Sequence, residues 1–305
     1  MTAFRSGAAV AAGWCPGVAR DFGRKRVMSL RTFSLMSRSA SSVKRPLTWV
    51  LGAALAAGLL TGCRGGVQES AAATDQHPAR VASGNVLKQP VPAQAAHARL
   101  VDQNGRSLTL ASLRGKIVVV APLLTFCQET CPMTSANIHR AARDVQRAGL
   151  GDHVVFLEPT VDPARDTVAR IHAYEKLYGA LPDWHLATGK PADVLAMWKG
   201  LGVSTERTKP DDTVRDWLTG KVVHHSYDVH HQDLVLVIDP AGRLRWITIG
   251  HPDARGQKLP VSLREFLNDE GRENLAHPRA RGASSWTAQQ VEQAVRYVHD
   301  LAAAR

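Results

Sequence analysis

Two thiols four residues apart, in Cys127-Gln128-Glu129-Thr130-Cys131-Pro132, are the part of this 305-residue sequence best equipped for chemistry. The preceding run Lys116-Ile117-Val118-Val119-Val120-Ala121 is continuously apolar, which suits a central strand buried on both faces. Pro132 marks a helix start, where its missing N–H has no partner to lose. The sulfurs are therefore one helical turn apart where a buried strand feeds a helix N-terminus. There the helix dipole and free backbone N–H groups favour thiolate, the form that attacks disulfides and binds metals. Dithiol redox enzymes usually place two residues between their cysteines. Three leave room for an ion held by both sulfurs, and a soft thiolate pair selects Cu(I), with zinc as the competitor.

A third ligand has to come from elsewhere in the chain. Of thirteen histidines, His231 stands just before the apolar segment Asp233 to Ile238, a strand expected beside the cysteine loop. Its neighbour His230 would point to the opposite face under strand alternation, and His224 and His225 are further candidates. The stretch Val161-Asp162-Pro163-Ala164-Arg165-Asp166-Thr167 is also rich in charge. Its bland reading is structural, with Asp162-Pro163 capping the next helix and Arg165 paired with Asp166.

The remaining cysteines belong to a different part of the chain. Four in all are too few for a disulfide-stapled scaffold of this size, and Cys15 lies in the leader. Lys44 and Arg45 precede an apolar run, Leu47 to Leu60, of about fourteen residues. Spanning a bilayer takes about 20, so the run fits a signal-peptide core. It ends in Leu60-Thr61-Gly62-Cys63, which resembles the bacterial lipobox. That resemblance implies cleavage before a lipidated Cys63 and a membrane-anchored chain facing the periplasm or the cell exterior. Met36 opens an ordinary basic n-region, so translation is expected to start there or at Met28. The formal net charge of +11 is mostly leader, since residues 1–62 hold nine Lys or Arg against the single acid Asp21. With the remainder close to balance, nucleic-acid binding is not expected.

Four regions follow from the patterning: a leader and lipoprotein signal peptide over 1–62, a flexible tether over 63–95, a folded domain over 96–270, and a tail over 271–305 with a C-terminal helix. The tether is rich in Ala, Gly, Gln, Ser and Pro without apolar periodicity. Within the domain, Asp102-Gln103-Asn104-Gly105 predicts a hairpin turn. Val154 to Leu157 and the residues around His185 to Ala187 predict further strands, with helices over Thr167 to Tyr178, Pro191 to Leu201 and Val261 to Leu267. Asp233 to Ile238 and Leu244 to Ile249 flank the turn Asp239-Pro240-Ala241-Gly242. This order predicts an α/β, thioredoxin-like fold with an added N-terminal β-hairpin. In the tail, Val291, Ala294, Val295, Val298 and Leu301 recur at helical spacing, so that helix is expected to pack on the domain in preference to a partner.

Leu124-Thr125-Phe126-Cys127 through Cys131-Pro132, Val161 to Thr167, and His231 with Asp239-Pro240-Ala241-Gly242 together resemble the Sco/SenC family over about 97–268. The resemblance implies copper as the cofactor, Cu(I) above all, held by Cys127, Cys131 and His231. It also implies delivery of copper to, or reduction of the thiols of, the dinuclear copper site in cytochrome c oxidase subunit II. The family frames its histidine as Val-Asp-His-Ser, whereas this chain has Val229-His230-His231-Gln232. The alternative activity is a thiol-disulfide oxidoreductase in which Cys127 and Cys131 are catalytic and act on partner-protein thiols. A purely structural disulfide is the third reading. A peroxiredoxin is excluded, because Pro122 to Cys127 is two residues short of Pro-x-x-x-Thr-x-x-Cys.

Overall fold

A computed structural model of the chain describes residues 83–210, 213–278 and 284–304. Cys15, Cys63, the signal peptide and most of the expected tether lie outside the described residues. No helix among the described residues is long and apolar enough to cross a membrane.

The chain enters through β1 (Asn85–Pro90) and α1 (Ala93–Ala96), then makes the hairpin β2 (Leu100–Asp102) and β3 (Ser107–Leu108). A βαβ unit follows, with β4 (Ile117–Val120), α2 (Cys131–Arg147) and β5 (Val154–Pro159), and then α3 (Val168–Tyr178), β6 (Trp184–Gly189) and α4 (Pro191–Gly200). Four short strands come next: β7 (Thr205–Thr208), β8 (Val214–Arg215), β9 (Val222–Val223) and β10 (Asp228–His231). The hairpin β11 (Leu234–Ile238) and β12 (Arg243–Ile249) leads to β13 (His251–Pro252), α5 (Val261–Phe266), α6 (Asp269–Ala276), β14 (Ser285–Trp286) and α7 (Ala288–Ala303).

Eight strands form the main sheet in the order β1-β12-β11-β4-β5-β6-β2-β3. β4, β5 and β6 run parallel, and β11 lies antiparallel to β4 with Leu236 opposite Val120 and Ile238 opposite Val118. The run β5-β4-β11-β12, built from a βαβ unit and a later antiparallel hairpin, is the thioredoxin-like core, and β2 and β3 add the expected N-terminal hairpin at the far edge. Ile117 to Val120 are all buried, as a strand covered on both faces requires. The β11–β12 turn closes on Asp239, whose carboxylate accepts from the Ala241 and Arg243 N–H groups. Gly242 takes the φ of +76° that the turn needs.

Both expected limits of the domain move outward. Asn85 to Pro90 is not tether but an edge strand paired with β12, and the Trp246 indole donates to the Ser83 carbonyl at 2.7 Å. A Cβ at Gly84 would collide with that indole. At the other end the expected boundary at 270 falls inside α6, and α7 covers α2 and the sheet. Val291, Ala294, Val295 and Val298 are buried in the same cluster as Ile138, Val119 and Val237. The tail helix is thus a wall of the core. Its apolar stripe finds its partner on α2 in the same chain, as helical spacing allows.

Candidate metal centre

The fold brings distant residues together for a simple reason. β4 delivers the chain to the cysteine loop at its C-terminal end, and β11, being antiparallel to β4, begins at that same end. His231 lies three residues before β11, so topology carries it to the loop although a hundred residues of sequence intervene. Its Nε2 stands 3.4 Å from the Cys131 sulfur. Its Nδ1 is 3.1 Å from the Gln232 carbonyl oxygen, which can only accept, so Nδ1 carries the proton and Nε2 keeps a lone pair toward the sulfur.

Cys127 and Cys131 are both free thiols, Cys131 buried and Cys127 half-buried. Cys131 opens α2, and the Cys127 N–H donates to the Leu124 carbonyl in the loop before it. The hydrogen bond that Cys127 accepts from the Cys131 thiol lowers the Cys127 pKa against the opposing effect of burial, with the Glu129 N–H 3.5 Å from its sulfur adding to the pull. Cys131 is pushed well above an ordinary thiol by donating that bond, by burial and by the Cys127 charge. The pair is thus asymmetric, with Cys127 the sulfur that ionises more readily. Among the described residues no group of three His, Cys, Asp or Glu side chains already forms a metal cage. The three candidates instead form a chain of contacts, His231 to Cys131 to Cys127.

The other histidines are placed differently. β10 pairs with β7, His231 opposite Thr205 and His230 opposite Glu206. Val229 is buried, His230 exposed and His231 half-buried, the alternation expected of a strand. His224 is exposed, and His225 packs edge-on against the Phe126 ring with centroids 4.5 Å apart. Of the four, His231 is the one whose ring meets a cysteine sulfur.

Residues outside the candidate ligand set hold this arrangement in place. Thr130 donates to Asp233 Oδ1 at 3.0 Å, joining the cysteine loop to the start of β11. Burial raises the Asp233 pKa, and the hydrogen bond from Thr130 opposes that rise. Asp162 accepts from the Tyr227 hydroxyl at 2.9 Å and pairs with Arg165, whose guanidinium donates to the Tyr227 carbonyl and lies over the Tyr227 ring. Tyr227 immediately precedes β10, so this cluster fixes the strand that carries His231. The expected Arg165–Asp166 pair is replaced by Arg165–Asp162, and Thr167, not Asp162, caps α3. Asp166 is fully buried, where it accepts from Thr125 and Thr160, and desolvation raises its pKa to about 6. Arg170 donates to Thr125 Oγ1 at 2.6 Å and to Asp216 at 2.8 Å, and its guanidinium stacks 3.6 Å over the Phe126 ring. The Trp217 indole donates to the Thr125 carbonyl at 2.7 Å. No local spacing signals these ties, since Thr125 lies 92 residues from Trp217.

A thioredoxin-like fold that presents an unpaired dithiol at a helix start, with a histidine nitrogen against one sulfur, defines a thiol protein fitted to bind a soft metal or exchange disulfides. A model of the SCO1/SenC family matches residues 89–257, and the chain belongs to that family. Among curated relatives, Protein SCO1 homolog 1, mitochondrial, of Arabidopsis thaliana is 29% identical over 114 residues, a stretch covering 37% of this chain and 33% of that protein. The match therefore spans a third of that relative's length. Among solved structures, copper-bound ScoI of Bradyrhizobium japonicum is 23% identical with a TM-score of 0.42, covering 59% of this chain and 99% of the other. A SCO1/SenC family lipoprotein of Bacillus anthracis is 21% identical with a TM-score of 0.40, covering 55% and 89%.

Proposed function

We propose that this protein is an extracytoplasmic copper metallochaperone, anchored in the cell membrane by a lipid on Cys63, that serves assembly of the dinuclear copper site of cytochrome c oxidase subunit II. Cys127, Cys131 and His231 hold Cu(I) as cargo. The observation that carries the reading is the 3.4 Å approach of His231 Nε2 to the Cys131 sulfur, with the lone pair of that nitrogen facing the thiol. Two soft sulfurs and one imidazole suit Cu(I), and both sulfurs bind it as thiolates, so that binding releases protons. The half-exposed Cys127 gives a receiving protein a sulfur through which to exchange the ion. Family membership supports both the metal and its destination.

The test is a Cu(I) titration of the reduced full chain beside His231→Ala. One equivalent bound tightly by the parent and more weakly by the variant is the expected result; undiminished binding in the variant removes His231 from the site. A second reading, a thiol-disulfide oxidoreductase acting on envelope proteins, draws on the lowered pKa of Cys127, the mark of an attacking thiol. Catalytic disulfide reduction by copper-free protein would favour it.

A further inference from the structure

Residues beyond 257 lie outside the stretch that the family model matches, and among them is the elbow between α5 and α6. Three contacts run from this elbow to the middle of the inter-cysteine loop. The Gln128 side-chain amide donates to the Phe266 carbonyl at 2.7 Å. The Asn268 backbone N–H donates to the Gln128 carbonyl at 3.2 Å, and its side-chain amide donates to Glu129 Oε1 at 3.4 Å. Asn268 is also the N-cap of α6, accepting from the Gly271 N–H at 2.7 Å, so one residue both starts the helix and grips the loop.

Gly271 is a separate sign of the same approach. It sits inside α6 without a left-handed φ, where glycine costs about 1 kcal/mol relative to alanine. Conformation does not explain it; space does. A Cβ at this position would collide with the Gln128 carbonyl oxygen and come within 3.1 Å of the Glu129 Cα. The helix therefore lies against the backbone of Gln128 and Glu129, two of the three residues between the cysteines, closer than any other residue type permits.

Disulfide closure requires the two sulfurs to come to bonding distance with a defined torsion, which moves the residues between them. A loop gripped at Gln128 and Glu129 resists that movement. We propose that the elbow Phe266 to Gly271 is a strap that positions the inter-cysteine loop, holding Cys127 and Cys131 as an open dithiol against closure to a disulfide. The purpose of the strap rests on the copper reading above, because Cu(I) needs both sulfurs reduced. Closure takes two electrons and two protons from the pair, and glutathione disulfide accepts them to become two glutathione thiols.

The test equilibrates the full chain in glutathione redox buffers and reads the Cys127–Cys131 disulfide by differential alkylation and peptide mass spectrometry. Gln128→Ala removes one grip and Gly271→Ala pushes the helix off the loop. Each is expected to shift the exchange equilibrium toward disulfide about five- to tenfold, a potential about 20–30 mV more negative. Equilibria within twofold of the parent in Gln128→Ala, or a shift toward the dithiol, would overturn the strap, and that variant decides the matter if Gly271→Ala fails to fold. Cu(I) binding by the parent is read separately. If the parent binds no copper while the variants shift, the chaperone reading falls and the strap stands; if the parent binds and the variants do not shift, the strap alone falls.

Discussion

Replacing Arg170 by methionine keeps an unbranched apolar stem and deletes the guanidinium with its charge and its hydrogen bonds. In the parent this guanidinium pairs with Asp216, donates to Thr125 just before the cysteine loop, and stacks on Phe126 and, at 4.8 Å, on Trp217. Arg170 and Asp216 are both buried, so the variant leaves Asp216 as a buried carboxylate without its cation. Breaking one side of a buried pair costs about 3–5 kcal/mol, a large part of the roughly 5–15 kcal/mol that holds a domain folded. With a urea dependence of about 1–3 kcal/mol per molar, the unfolding midpoint should fall by at least about 1 M. Urea unfolding followed by tryptophan fluorescence measures this. The double variant Arg170→Met with Asp216→Asn relieves the stranded charge and should recover much of the loss, because the two residues share one interaction. A single variant within about 0.5 kcal/mol of the parent, or a double variant no more stable than the single, would refute the argument that this pair ties the segment between β8 and β9 to Thr125 beside the cysteine loop.

Glu158 is fully buried on β5, where it accepts from Ser135 and the Trp184 indole, and desolvation raises its pKa to about 7. The folded state keeps this proton while the unfolded chain loses it near 4.5, so the group's contribution to stability is present below 4.5 and is lost as pH rises toward 7. Thermal melts of Glu158→Gln across that window should show the variant gaining on the parent with rising pH, and a constant difference would contradict the assignment. Val295 on α7 is fully buried, so Val295→Ala should cost about 2 kcal/mol in urea unfolding; a cost near zero would mean that α7 does not wall the core. Iodoacetamide at neutral pH should label Cys127 well before Cys131, because the first is half-exposed with a lowered pKa and the second is buried with a raised one; peptide mapping that finds the reverse order would contradict this assignment.

What could be seen in the sequence follows the range of the signals. Ile117 to Val120, the Cys127–Cys131 spacing, Pro132 and the Asp239 to Gly242 turn are local patterns, and each fixes its element in place. That His230 and His231 face opposite ways was legible from strand parity; which of them faces inward was not, because it depends on Val229 being buried. β1 was not legible. Most of its residues are exposed on an edge, where no alternation is demanded, and the pairing with β12 is set by residues some 150 positions away. α6 was missed because its polar sequence has little apolar face to betray it, and its place is set by Asn268 and Gly271 against the cysteine loop. The pairing of Arg165 with Asp162 instead of Asp166 turns on burial: Asp166 lies beneath Thr125 and Thr160, out of the guanidinium's path.

The central claim concerns which atoms surround the cargo ion. X-ray absorption spectra of the Cu(I)-loaded full chain, taken beside His230→Ala and His231→Ala, report those neighbours directly. Two sulfurs and one imidazole nitrogen in the parent, kept in His230→Ala and reduced to sulfur alone in His231→Ala, is the predicted result; a parent spectrum without the nitrogen, or one that His231→Ala leaves unchanged, would contradict the account.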